Sequence, residues 1–320
     1  MIVSKNMQYA FQVEYPHEVL KMPLRPAGEK PDATRLNQEL VGVLSGQGAK
    51  DVLVPGLVYA RNLSQELEKA HASSFVMKVL YPGLLMGTGY PHMTEHAISE
   101  IQFGFSFDAV TGLPYYPGSS LKGTLRTPFD HALQQAKKEQ DAEQVAAQAA
   151  EYQAYLVDLF HQAGATEMDT GKLAAFTSLT FAGQLPGETE ACLPMAVRDV
   201  FYDTYPIGFS RDGAPAKIVD IDHITPHIDL KTHKQAPLQN PTPLTLLRVM
   251  PDTCFKFHMR LHDFVLEGKT YVTAAQKLEV FQQVLEDFGI GAKTHTGYGN
   301  LELVDEAQVS LQLHAAQQGA

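Results

Sequence analysis

Two glycine-rich segments carry the residues of this sequence that are best suited to bind an anion. The first, TGLPYYPGSSLKGTLR, spans residues 111–126, and the second, GIGAKTHTGYGNLEL, spans residues 289–303. Each contains one lysine among glycines and hydroxyl side chains, a combination that exposes backbone N–H groups beside a positive charge. The anion could be a nucleotide, a metal-bound substrate or the backbone of a nucleic acid.

Neither segment fits the glycine motifs of nucleotide-binding enzymes. A P-loop needs a Gly-Lys-Ser/Thr sequence four residues after its first glycine, whereas Lys122 stands before its glycine and Lys293 follows an alanine. The dinucleotide fingerprint requires a glycine where the second segment has Thr294. The sequence therefore disfavours an NTPase or a dehydrogenase.

The first segment predicts a helix N-terminus that can hold phosphate groups. After a Pro-Gly turn, Ser119 or Ser120 is expected to cap the helix, which leaves free N–H groups at the positive end of its dipole. Lys122 and Arg126 lie four residues apart and therefore share one face of this helix. One phosphate at the N–H groups and a second at the basic pair would fit this arrangement.

The second segment predicts a backbone cradle with similar chemistry. Its glycines, Gly291 among them, let another backbone approach closely, while Lys293 adds a charge and Thr294 a hydroxyl group. His295 or Tyr298 could stack on a base. For either segment the alternative is a connection between a helix and a strand that contains glycine and a solvated lysine.

The composition is that of an ordinary globular protein of a reducing compartment. A hydrophobic fraction of 44% over 320 residues allows a full core, and the two cysteines, Cys192 and Cys254, match no zinc or redox spacing. The net charge of −11 disfavours a protein that coats nucleic acid by bulk electrostatics. Neither a signal peptide nor a run of about 18 apolar residues is evident. We expect a cytoplasmic protein without a membrane segment.

The hydrophobic patterns predict an α+β fold with a ferredoxin-like (RRM-type) core, because they follow the order strand, helix, strand, strand, helix, strand. We expect residues 1–73 to form an N-terminal extension and residues 74–306 to form the core domain. Long insertions divide this core, a helical one at 128–190 and a thumb-like hairpin segment at 205–245. Residues 307–320 are expected to be a C-terminal tail.

Several local patterns predict what surrounds this core. The sequence NLSQELEKAHA predicts a short helix capped by Asn62 or Ser64, and SEIQFGFSFDAVTG predicts a hairpin strand. The alanine-rich stretch 131–164 predicts a helix that projects into solvent. From Phe255 onward, apolar residues alternate with polar ones, which predicts a half-buried strand. Its expected outward-facing residues are Lys256, His258, Arg260 and His262.

A last helix is predicted directly before the second glycine segment. Thr273 and Gln276 have the spacing of a capping box, and an apolar stripe follows them. Gly289 is the expected stop signal.

The two glycine segments resemble motifs of a known family. PYYPGSSLKG is similar to the PYIPGSSLKG signature of the RAMP superfamily of CRISPR-associated proteins, and GIGAKTHTGYG resembles the C-terminal glycine-rich loop of that superfamily. More narrowly, YDTYP, DIDHITPH and GIGAKT, in this order, resemble the Cmr-type sixth RAMP subunit of type III-B effector complexes. The resemblance spans residues 75–304.

This resemblance implies a non-catalytic structural subunit of a CRISPR ribonucleoprotein that binds guide RNA (crRNA). It implies crRNA, target RNA and the other Cmr/RAMP subunits as partners, with no cofactor, no metal and no membrane. Carried onto this chain, the guide-RNA contacts are Ser119, Ser120, Lys122, Gly123, Arg126, Gly291, Lys293, Thr294, His295 and Tyr298. A thumb hairpin that inserts into the guide–target duplex has as its candidate residues Lys217, Asp222, His223, His227 and Lys231.

The histidines raise an enzymatic alternative. Asp220 and the neighbouring Asp222, His223 and His227 match no standard metal-ligand spacing, so structural hydrogen bonding is favoured over a metal site. A metal-free ribonuclease needs a histidine as general base, for which the candidates by residue type are His92, His96, His258 and His295.

Related RAMP backbone subunits cut target RNA with an aspartate in the loop after the first strand. The corresponding loop of this chain, PGLLMGTGYPHMTEH, contains no aspartate. Two alternatives stay open: an endoribonuclease of the same superfamily, and a protein–protein capping subunit without direct RNA contact.

Overall fold

The computed structural model describes residue 2 and residues 6–44, 50–89, 94–135, 141–185, 192–210, 217–225 and 243–311. Its α-helices are α1 (Met7–Tyr9), α2 (Tyr15–Leu20), α3 (Thr34–Leu44), α4 (Lys50–Lys69), α5 (Gly118–Ala132), α6 (Ala142–Gln162), α7 (Leu173–Thr177) and α8 (Ala274–Phe288). Its strands are β1 (Ser73–Val79), β2 (Val200–Phe201), β3 (Tyr205–Ser210), β4 (Val219–Ile224), β5 (Leu244–Val249), β6 (Thr253–Arg260), β7 (Phe264–Leu266), β8 (Lys269–Val272), β9 (Leu301–Val304) and β10 (Val309–Ser310). Two π-helical segments are Ala10–Glu14 and Ser178–Ala182, and the 3₁₀ turns are Pro26–Gly28, Thr170–Lys172, Met195–Val197, Thr294–Thr296 and Glu306–Gln308.

The main sheet is antiparallel, with the strand order β10-β3-β6-β1-β9 and with β2 also paired to β6. The register places Phe75 of β1 opposite Phe257 of β6, and their rings stack with centroids 5.3 Å apart. The prediction of a mixed α and β fold is confirmed. No helix in the described part of the chain combines the length and apolar character needed to cross a membrane.

Strand β9 forms one edge of this sheet. Met77 of β1 lies opposite Leu303, whose N–H group donates to Glu286 Oε1 of α8 at 2.8 Å. A side chain therefore occupies a backbone donor at the sheet edge, where unpaired donors otherwise attract other strands.

The alanine-rich stretch is part of the core, contrary to the expectation of a projecting helix. Helices α5 and α6 share this stretch, and α6 buries Leu156, Leu159 and Phe160. The ring of Phe160 lies 6.3 Å from Phe129 of α5 and 4.9 Å from Phe176 of α7. Large apolar residues in the second half of α6 thus decide its packing, because they outweigh the small alanines before them.

Strand β6 is covered on both faces at Lys256 and His258, which corrects the prediction that these two residues face outward, whereas Arg260 and His262 are half-buried. Lys256 and His258 are only 5% and 4% exposed because α4 packs over them. Lys256 Nζ lies 2.7 Å from both Glu68 of α4 and Glu306, and His258 Nε2 lies 2.9 Å from Ser64 Oγ.

Helix α4 begins at Lys50, so neither Asn62 nor Ser64 is its N-cap. Other parts of the first 73 residues also contribute to the main core, through Phe11, Tyr15 and Leu40. The domain boundaries stay a prediction.

The segment around Ile101 is irregular and forms no hairpin strand. It makes isolated bridges, such as the parallel one between Ile101 and Thr245. The N–H group of Ile101 donates to the Tyr15 hydroxyl at 2.9 Å, and that of Gln102 donates to the Thr245 carbonyl at 3.0 Å. Partners from distant parts of the chain satisfy these donors in place of a neighbouring hairpin strand.

The helix before the second glycine segment confirms its sequence signals. Thr273 and Gln276 form a complete capping box, and Gly289 ends α8 with φ +67°.

The contact between α4 and β6 predicts a stability that depends on pH. Burial, helped by the charge of Lys256, lowers the pKa of His258 from 6.5 to about 4. As the pH falls from 6.5 to 4, the unfolded chain binds a proton at His258 and the folded chain does not. We therefore expect the free energy of unfolding to decrease by on the order of 3 kcal/mol over this fall in pH. Urea unfolding at several pH values measures this fall.

The control is His258→Gln, which keeps a hydrogen-bonding group beside Ser64 but does not titrate. Its stability should change less across the same window. An identical pH slope in both proteins would show that His258 is not the responsible group.

Candidate nucleic-acid interface

The first glycine segment places the start of α5 at Gly118, with Pro117 as its N-cap and no side-chain cap. The expectation that Ser119 or Ser120 caps the helix is wrong, because Asp203 Oδ1 accepts the N–H group of Gly118 at 2.7 Å. Both serines are exposed. Within the described residues their N–H groups have no partner. Two backbone donors at the positive end of α5 therefore face solvent.

Close packing explains the glycine at this helix start. A Cβ atom on Gly118 would overlap the carbonyl oxygen of Phe201. Only glycine allows the chain that carries Asp203 to approach α5, where Tyr116 and Thr204 also form an antiparallel bridge. The segment YDTYP thus positions the first glycine segment.

Helix α5 presents a single exposed face beyond these donors. Its exposed residues are Ser119, Ser120, Gly123, Arg126, Thr127 and Asp130. Arg126 Nε pairs with Asp130 Oδ1 at 3.0 Å, whereas Lys122 has no ion-pair partner among the residues that the structure describes. A Cβ atom on Gly123 would have no atom within 4 Å. The centre of this face is therefore open.

The second glycine segment folds against the protein itself. Cβ atoms on Gly291 and Gly299 would overlap the carbonyl oxygens of Leu85 and Ile290, respectively. The N–H groups of Ile290 and Ala292 donate to Gly299 and Leu85 at 3.0 and 2.9 Å. These glycines permit a close approach within the chain and not the approach of a ligand backbone.

The predicted contact residues of the second segment differ in their accessibility. Lys293 and His295 are exposed, and Lys293 adopts φ 60°. Tyr298 is only 8% exposed, and its hydroxyl donates to Asp222 Oδ2 at 2.6 Å. Burial and this hydrogen bond raise the pKa of Tyr298 to about 12. The ring of Tyr298 is therefore covered by the protein in this structure, and base stacking by this residue stays a prediction.

Two of the thumb candidates, Asp222 and His223, lie in strand β4, which pairs with β5 in an antiparallel ribbon. Asp222 lies 3.0 Å from Arg248 Nη1, so its carboxylate is held by Arg248 and Tyr298. Lys217 pairs with Asp220 at 2.7 Å. His223 is exposed, with Nδ1 3.3 Å from Thr245 Oγ1.

His227 and Lys231 lie outside the described residues. Among the residues that are described, no three His, Cys, Asp or Glu side chains cluster in a way that could hold a metal ion.

The two glycine segments touch beside α5. The N–H group of Gly291 donates to the Tyr116 hydroxyl at 3.4 Å, and that hydroxyl lies 2.9 Å from Thr124 Oγ1. A cleft of about 390 Å³ opens between α5 and the second segment. The residues that line it include Thr124, His131, Tyr152, Phe288, Thr294, His295 and Asn300. We call it the loop cleft.

A second cleft, of about 270 Å³, lies beside Ser119, Lys122 and Arg198. Asp199 also lines it, and its carboxylate is paired with Lys277 Nζ at 2.7 Å. We call this second cleft the basic cleft. Lys122 therefore does not share a cleft with the second glycine segment. The loop cleft and the basic cleft are lined by different residues of α5, and each lies next to its exposed face.

Sequence reasoning missed several residues of both clefts. Thr124, Thr127 and His131 recur at intervals of three and four, which marks one face of a helix and was a usable signal. Tyr152 and Arg198 come from elements distant in the sequence and carry no local signal.

Comparisons with known proteins bear on this site. A model of the RAMP superfamily matches residues 76–302. Among curated proteins, none matches the chain.

Three solved structures resemble the fold at low identity. A chain of the type III-B Cmr-beta complex bound to cognate target RNA has a TM-score of 0.47 and 18% identity, with 85% of this chain and 72% of that chain covered. Cmr6 from Pyrococcus furiosus has a TM-score of 0.40 and 21% identity, with 73% and 98% covered. A chain of the type III-A Csm–crRNA–target RNA ternary complex has a TM-score of 0.30 and 12% identity, with 67% and 74% covered.

The two glycine segments should respond oppositely to an added methyl group. Gly123→Ala fills open space in a helix and should raise the free energy of unfolding by about 0.5–1 kcal/mol. Gly291→Ala places a Cβ atom on a carbonyl oxygen at φ +81° and should lower it by about 1–3 kcal/mol. Urea unfolding of the two variants measures both effects, and a loss of stability in Gly123→Ala would contradict the open geometry.

Proposed function

The chain belongs to the RAMP superfamily, and from that premise we propose that it is a non-catalytic subunit of a cytoplasmic type III-B CRISPR effector that binds guide RNA. Its partners in this proposal are crRNA, target RNA and the other Cmr subunits. The choice of subunit rests on the motifs YDTYP, DIDHITPH and GIGAKT.

The core of this subunit is proposed to be ferredoxin-like. Along the chain, β1, α5, β3, β6, α8 and β9 occur in this order, with other elements inserted between them. In the sheet their strands lie in the order β9-β1-β6-β3. The βαββαβ order supports this assignment. Helix α4 then covers the sheet face that such cores often leave open, so RNA would be bound elsewhere.

The exposed face of α5 is the observation that carries the proposal. Free N–H groups of Ser119 and Ser120 lie at the positive end of the helix, and Lys122 and Arg198 line the adjacent basic cleft. Donors of this kind bind phosphate oxygens regardless of base sequence. Gly123 leaves the middle of the face open to a ribose-phosphate chain, and Lys293 adds an exposed cation from the second segment. A few cations grouped at one site can bind RNA locally although the net charge of the chain is −11.

Two of the four candidate histidines make structural contacts, which supports a non-catalytic role for them. His258 is buried against Ser64, and His96 Nε2 lies 2.8 Å from the carbonyl oxygen of Met22. His295 is exposed, and His92 lies outside the described residues. The ribbon of β4 and β5 is proposed as the base of the thumb.

Removal of one phosphate contact should weaken RNA binding without changing sequence preference. We expect Lys122→Ala and Lys293→Ala each to weaken binding equally for unrelated single-stranded RNAs. Each should also reduce the slope of log K against log salt by about 0.7. Fluorescence anisotropy over a salt series measures both quantities. The control is Lys30→Ala, a change at another exposed lysine, which should leave RNA binding unchanged. A loss of affinity confined to one RNA sequence would contradict phosphate binding.

The same preparation separates the alternatives. We expect labelled RNA to remain intact with or without divalent metal. Cleavage that His295→Ala abolishes would instead indicate an endoribonuclease. A chain that ignores RNA but co-purifies with Cmr subunits after nuclease treatment would instead be a protein cap.

A further inference from the structure

We propose that the loop cleft is a pocket for one unpaired nucleobase of RNA, distinct from the phosphate contacts in the basic cleft. This inference rests on the proposed RNA binding, and it adds a contact with a base to the phosphate contacts already described. Its chemistry follows from charge, ring stacking and free hydrogen-bonding groups.

The charge of the loop cleft is unsuited to phosphate. Its described lining contains no lysine or arginine, and Asp287 supplies its one carboxylate. Both oxygens of this carboxylate are occupied, since Tyr155 Oη donates to Oδ2 at 2.6 Å and Gln283 Nε2 donates to Oδ1 at 2.9 Å. A phosphate would be repelled by this negative charge, and the described lining has no lysine or arginine to compensate for it. A neutral group would not be repelled.

An aromatic column forms one wall of the loop cleft. The ring of Tyr152 lies 4.9 Å from His131 at an angle of 23°, and 6.1 Å from Phe288 at 21°. The ring of Tyr152 is therefore stacked with both His131 and Phe288, and Tyr155 packs edge-on against Phe288 with ring centroids 5.6 Å apart. His131 and Phe288 are both partly exposed. A flat base can extend such a column by stacking, which proteins that bind single-stranded nucleic acid use without strict sequence preference.

Free polar groups face this wall from the second glycine segment. Among the described residues, the side chains of Thr294, His295 and Asn300 have no hydrogen-bond partner, although all three line the cleft. An Asn carboxamide offers both donors and an acceptor, which suits the edge of a base. Thr124 and Thr127, in contrast, are already bonded to Tyr116 and to the carbonyl of Gly123.

Size and position complete the argument. At about 390 Å³ the cleft lies in the range of about 300–1,000 Å³ that is usual for small-ligand sites. It also flanks the exposed face of α5 through Thr124, Thr127 and His131, while Ser119 and Lys122 of the same helix line the basic cleft. A strand that crosses this face can leave its phosphates at Lys122 and turn a base into the loop cleft.

The test compares probes with and without bases. The full chain is titrated with 12-nucleotide oligouridylate, with 12-nucleotide oligoadenylate and with a ribose-phosphate oligomer of the same length that lacks bases. Stacking of one base predicts that the wild-type chain binds the base-containing probes about 5- to 150-fold more tightly. Asn300→Ala and His131→Ala should reduce this preference without changing binding of the abasic oligomer or the salt slope.

Two exposed residues outside the cleft provide matched controls, Asn62→Ala and His17→Ala, which should retain the full preference. Asn300 is exposed, so its variant remains informative even if His131→Ala folds poorly. Equal binding of all three probes, or a preference that survives both cleft variants, overturns the base pocket while leaving RNA binding intact. Failure of every probe to bind overturns RNA binding itself, and the pocket with it.

Discussion

The structure depends on the close backbone packing of the second glycine segment. The N–H group of Gly299 donates to the Gly83 carbonyl at 2.8 Å, and that of Ala292 donates to Leu85 at 2.9 Å. These bonds hold the segment against the chain that follows β1, where it reaches Tyr116 and the side of α5. The same glycines therefore shape the fold and bring the two conspicuous segments together.

Local signals were recovered from the sequence, and distant ones were not. The capping box at Thr273 depends on residues three positions apart, so the pattern alone sufficed. The cap of α5 is different, because Asp203 stands 85 positions from Gly118. A serine in the correct place was the natural expectation, and only the tertiary fold shows that a remote carboxylate accepts the first N–H group.

Strand β6 illustrates the same limit for burial. Its alternation of apolar and polar residues was real, yet its polar face is not solvated. Ser64 and Glu68 are polar residues of the kind found on the surface of a helix. Their contacts with His258 and Lys256, respectively, cannot be inferred from either segment alone. Complementary polar groups thus concealed a buried interface. Both clefts beside α5 were hidden for a related reason, since Tyr152 and Arg198 arrive from separate elements.

The carboxylate of Glu286 at the edge strand β9 bears on how this molecule meets its neighbours. A foreign strand can add to that side only after it displaces the Glu286 side chain from Leu303 and removes water from a charged group. Extension of the sheet from one copy to the next is opposed at this edge. Contact with a neighbour at this edge would therefore rely on side-chain surfaces, which can discriminate between partners, and not on continuous backbone pairing, which cannot.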